Sequence, residues 1–101
     1  MYRGTTPTIQ FKLPFAASVC DEIWITISQF GNEVINKTKA DCSIDGNEVS
    51  VTLTQDETLK LKASNNGQTL VQMRVRTNNK KALASKAFAV STEDILKDGV
   101  I

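Results

Sequence analysis

The chain has 101 residues, 41% of them hydrophobic, with 12 Lys+Arg, 11 Asp+Glu and no histidine. This length fits a single domain, residues 1–101, with apolar material for one modest core. The formal net charge of +1 gives no electrostatic reason to expect nucleic acid or a charged membrane as partner.

The opening residues lack the basic stretch and apolar run of a secretory signal. The expectation is a protein made and kept in the cytoplasm, entering a virion if an assembly carries it there. Period-two alternation begins at Thr8-Ile9-Gln10-Phe11-Lys12-Leu13, where Ile9, Phe11 and Leu13 share one face. Pro14 ends that strand. The second strand is expected over Glu22–Phe30, with Ile23, Ile25 and Ile27 inward and Trp24, Thr26, Ser28 and Phe30 outward.

Gly31-Asn32 reads as a two-residue hairpin turn into a polar edge strand over Glu33–Lys39. Asp45-Gly46 marks a second hairpin, between Cys42–Ile44 and Asn47–Thr54, and these successive segments read as a meander. Val49, Val51 and Leu53 form the core face there. The period then changes. Thr54 and Glu57 make a capping box for a helical turn over Gln55–Lys60, in a connection expected to cross between sheets and to close at Asn65-Asn66-Gly67.

The strand Gln68–Thr77 points Val71, Met73 and Val75 inward, and Arg74 and Arg76 outward. Asn78-Asn79 supplies a hairpin turn. The last strand, Ala82–Val90, is alanine-rich and ambiguous in register, with Phe88 assigned to the core. Ser91-Thr92-Glu93-Asp94 reads as a second capping box, for a helical turn over Thr92–Lys97. Six or seven short strands predict an all-β fold, an antiparallel β-sandwich of immunoglobulin-like build with two short helical turns.

Chemistry is hard to find in these residues. Nucleophilic catalysis needs a base beside its nucleophile, and no such arrangement is written here. Two of the carboxylate pairs, Asp56/Glu57 and Glu93/Asp94, sit in the capping boxes, and Asp21/Glu22 has no companion motif. The glycines match no phosphate loop. Cys20 and Cys42 cannot complete a four-ligand zinc site without histidine, and a cytosolic context favours reduced thiols. No enzyme activity, cofactor or metal is expected. Lys80 and Lys81 read as solvated turn lysines.

Trp24 is the one residue with two competing readings. An outward Trp serves as a sugar platform or a protein anchor, or it simply covers a neighbouring strand. Arg74 or Arg76 would add a cation–π contact if their strand lies alongside. The chain ends are the other candidates. Tyr2 in the opening segment and Val100-Ile101 at the close are β-compatible residues able to add to a neighbour's sheet edge. The alternative is that both ends fold back on their own domain.

Three segments carry a resemblance: Met1-Tyr2-Arg3-Gly4-Thr5-Thr6-Pro7-Thr8-Ile9, Leu53-Thr54-Gln55-Asp56-Glu57-Thr58-Leu59 and Ile95-Leu96-Lys97-Asp98-Gly99-Val100-Ile101. Together they resemble a family of small phage and prophage proteins of Gram-positive gut bacteria. The β-rich build is more loosely similar to the immunoglobulin-like N-terminal domain of phage upper baseplate proteins. The resemblance implies a tail or baseplate assembly role, with the protein itself (as a homo-oligomer) or other phage structural proteins as partners. It transfers no site residue. Tyr2, Trp24, Phe30, Arg74, Arg76, Val100 and Ile101 are therefore the candidate interaction residues, and a carbohydrate-binding module using the Trp24 face is the alternative function.

Overall fold

In the computed structural model, residues 1–64 and 68–101 are described; the turn expected at Asn65-Asn66-Gly67 lies outside them. Among the described residues eight strands run in chain order: β1 (Thr8–Lys12), β2 (Cys20–Gln29), β3 (Asn32–Thr38), β4 (Cys42–Asp45), β5 (Glu48–Thr52), β6 (Ser64–Thr77), β7 (Ala82–Ala84) and β8 (Phe88–Thr92). They form an antiparallel β-sandwich. One sheet has the order β1-β5-β4; the other has the order β3-β2-β6-β7, with β8 also on β6.

This order explains the immunoglobulin-like character. β1, β5 and β4 occupy the places of strands B, E and D, while β3, β2, β6 and β8 occupy those of C′, C, F and G. Two familiar devices of antibody domains are missing. Trp24 on the C-like strand faces outward, and Cys20 and Cys42 are both free. Burial raises the pKa of both thiols.

The inward rows follow the alternation of the sequence. Phe11, Leu13, Ile23, Ile25, Ile27, Val49, Val51, Leu53, Val71, Met73 and Val75 are buried in one cluster, joined by Ala17, Ile35 and Leu61. Ile9 is only partly buried. Phe88 faces the core from an outermost strand, so it remains 40% exposed while its ring meets Phe11 at 5.8 Å.

Several local expectations need correction. The β2–β3 turn is Phe30-Gly31, one residue earlier than expected, because Gln29 pairs with Asn32. Both turn residues have positive φ, 52° and 80°, as a type I′ hairpin requires. Phe30 thus leaves the outer sheet face and stands at the hairpin tip. A bulky side chain is disfavoured at such a φ. Phe30→Asn should therefore raise stability by roughly 1 kcal/mol, read from the urea midpoint; a loss would show that the ring packs within the domain.

The expected meander is also broken. A 3-10 turn at Lys39–Asp41 carries the chain from β3 into the other sheet, so β3 and β4 do not pair. The second hairpin turn is Gly46-Asn47 rather than Asp45-Gly46, since Asp45 still pairs with Glu48. The first helical turn forms as α1 (Gln55–Leu59), with both halves of the Thr54/Glu57 capping box made, and this connection does cross between the sheets. The last strand is split into β7 and β8 by residues 85–87.

The second helical turn does not form over Thr92–Lys97. Glu93 instead pairs in parallel with Tyr2, and its backbone N–H donates to the Met1 carbonyl while its carbonyl accepts from Arg3. A backbone engaged this way cannot also turn into a helix. The other short helical turns lie at Ala17–Val19 and Lys39–Asp41. No helix among the described residues is long and apolar enough to cross a membrane.

Candidate functional site

The exposed side chains fall into two groups on different parts of the molecule. The first is the outer face of the larger sheet. Register sets Trp24 beside Thr38 on β3 and beside Arg74 on β6. The Arg74 guanidinium lies 5.7 Å from the Trp24 ring centroid. Trp24 remains 52% exposed, so the arginine braces the ring without covering it. Shallow depressions flank the indole, one lined by Glu22, Arg74 and Arg76, the other by Glu33, Asn36, Lys37 and Thr38. Arg76 is held by Asp21 at 2.9 Å. An apolar plate ringed by amide, hydroxyl and charged groups is chemically suited to a polar ring-shaped ligand.

The second group lies at the end of the sandwich where the chain ends meet. Arg3 organises it. Its guanidinium donates to Asp94 and Asp98, to the carbonyl of Leu59, the last residue of α1, and to that of Leu61 just beyond the helix. The two carboxylates push the Arg3 pKa further up, and the hydrogen bond from Arg3 holds Asp98 below the usual carboxylate range. Met1 donates from its amino group to Glu93 at 2.9 Å; the Ser91 hydroxyl and that amino group lower the Glu93 pKa.

Gly4 is where this knot closes. Its φ is +71°, and a Cβ there would lie 2.9 Å from the Ile95 side chain. The opening segment is therefore stitched to its own domain along its backbone, while the Tyr2 ring stays exposed. The close of the chain is held more lightly, by Gln55, which exchanges two hydrogen bonds with the Ile101 backbone. Leu96 and Ile101 are fully exposed, and Val100 and Phe30 more than half so.

Sequence reasoning named Tyr2, Trp24, Phe30, Arg74, Arg76, Val100 and Ile101. The fold brings Trp24, Arg74 and Arg76 together on one face. It places Tyr2, Phe30, Val100 and Ile101 at one end. The organising role of Arg3 was missed, and its only sequence signal was a lone cation near the start of a chain whose close carries Asp94 and Asp98. Among the described residues, no three of Cys, Asp and Glu gather to hold a metal ion. In comparisons with known proteins, the chain matches no family model, no curated protein and no solved structure.

Proposed function

We propose that this chain is a non-catalytic association module, a structural part of a phage tail or baseplate that works by binding other proteins. The observation that carries the reading is the end of the sandwich that shows Tyr2, Phe30, Leu96, Val100 and Ile101 to solvent beside a core that is already complete. Aliphatic and aromatic side chains left exposed at one end of a domain gain most when another surface covers them. The phage assignment draws on the resemblance of the opening, central and closing segments to small phage proteins. Cytoplasmic synthesis followed by incorporation in a virion belongs to the same reading.

The test is co-expression with the proteins encoded beside its gene, which this reading expects to be tail or baseplate parts. Capture of one of them is expected, with loss of capture when Leu96, Val100 and Ile101 are changed together to Ser and circular dichroism is unchanged. No capture by the unaltered chain, or capture indifferent to the triple change, would sink the reading.

A second reading rests on the Trp24–Arg74 platform, which suits a carbohydrate. Trp24 is the sole tryptophan, so its fluorescence reports directly on that face. Titration with cell-wall polysaccharide should shift the emission, and Arg74→Ala should weaken the response. A spectrum that does not move under saturating polysaccharide discards the carbohydrate.

A further inference from the structure

Among the described residues the sandwich has four outermost strand edges, and three carry features that discourage pairing. On β3, Lys37 points inward to Glu57 and the ladder with β2 shifts between Ile27 and Ser28. β4 has only four residues and ends on Asp45. The β7–β8 edge is interrupted at residues 85–87. Charges, shortness and irregularity are the usual protections of a sheet edge. β1 also ends on a charge, Lys12, and lies between Pro7 and Pro14, but from Thr8 to Lys12 it is regular and without an inward charge, and no strand among the described residues pairs with its outer side.

The direction of its free groups follows from the register. The Leu53 N–H donates to Pro7 and the Leu13 N–H donates to Asn47, so the odd-numbered residues exchange hydrogen bonds with β5. The N–H and C=O groups of Thr8, Gln10 and Lys12 consequently point away from β5, toward the open side. Beside that edge runs an apolar groove of about 330 Å³ between β1 and β7, lined by Phe11, Leu13, Phe15, Met73, Val75 and Leu83.

We propose that the open edge of β1 pairs with the same edge of a second copy of this chain, antiparallel and centred on Gln10. The inference rests on the association reading above and names one partner for it. In that register Gln10 faces Gln10 of the second copy, and Thr8 faces its Lys12. Each of these pairs joins residues whose main-chain groups already point outward, so every pair exchanges two hydrogen bonds. Side-chain charge agrees with the choice. Lys12 lies beside Glu48 on its own β5 and meets the uncharged Thr8 across the interface, so no like charges oppose. Pro7 and Pro14 bracket the strand and confine the ladder to these residues, which fixes the register. Inside, Ile9 of one copy faces Phe11 of the other, and the two apolar grooves abut.

Sedimentation velocity of the full chain from about 10 μM to about 1 mM should show a concentration-dependent dimer. Hydrogen exchange should show the Thr8, Gln10 and Lys12 amides gaining protection as the dimer forms. Gln10→Pro removes an outward N–H that β5 does not use, and should raise the dissociation constant at least about tenfold. Gln10→Lys opposes like charges across the axis and should weaken the dimer most at low salt. If Gln10→Pro unfolds, Gln10→Lys decides alone. A chain that stays monomeric throughout overturns the inference. So does a dimer in which those amides exchange as in the monomer, or one that Gln10→Lys leaves unchanged. A dimer without capture of the neighbouring phage proteins would refute the proposed function and leave this inference standing; capture by a strict monomer would do the reverse.

Discussion

Ile25→Ala is expected to cost about 3 kcal/mol of folding stability, a large share of what a domain this size holds. Ile25 is 1% exposed in the middle of β2, the strand that joins β3 to β6. It stands opposite Met73 on one side and Lys37 on the other. Truncation removes apolar contacts and leaves a cavity that sheets on both sides cannot collapse to fill. Chemical denaturation of the two proteins measures it. A loss below about 1 kcal/mol would mean that the inward row is not the core.

Lys37→Met should cost about 2 kcal/mol at neutral pH, between the value of an exposed pair and that of a fully buried one. Lys37 and Glu57 approach to 2.7 Å with side chains only 11% and 20% exposed, and they tie β3 to α1. Burial pushes the Glu57 carboxyl up, but the Lys37 ammonium and the Thr54 backbone N–H more than offset it, so its pKa lies below the ordinary value. A carboxyl depressed on folding adds stability above its unfolded pKa, near 4.3, and loses it as pH falls through the lower folded value. The difference between wild type and Lys37→Met should therefore be greatest near pH 7 and shrink as pH falls through the depressed folded value, where Glu57 takes up its proton and no longer needs a partner. Denaturant midpoints at several pH values check this, and a difference that stays constant with pH would rule out the ion pair as its cause.

These residues also mark the boundary of what could be read from the chain. Alternation revealed the faces of β1, β2, β5 and β6 because a half-buried strand must alternate. The Thr54/Glu57 capping box was legible because both partners lie within one turn. Phe30 at positive φ was not. Local preference argues against a bulky residue there, and the turn is set instead by Ile35 falling opposite Ile27 in the core. Lys37 looked like an edge lysine, since its buried partner lies on a distant helical turn.

The same holds for Gln29, Thr69 and Thr92. Each looks like an ordinary strand polar residue, yet their side chains form one buried chain of hydrogen bonds. Of the candidate surfaces, the Trp24–Arg74 contact was half legible. The outward direction of both residues came from period, but strand adjacency came only from the fold.

The pairing of β1 with β5 and of β2 with β6 has a kinetic consequence. Among the described residues the β2–β3, β4–β5 and β6–β7 hairpins are local; the β1–β5, β2–β6 and β6–β8 pairings join segments farther apart in sequence, and the Tyr2–Glu93 bridge joins residues 91 positions apart. Ordering so much chain before distant contacts form is entropically unfavourable, so refolding belongs on the millisecond-to-second scale typical of such topologies. Until β2 and β6 meet, the isoleucine row of β2 stays open to intermolecular pairing, which makes dilution and lower temperature the natural conditions for recovering this protein from denaturant.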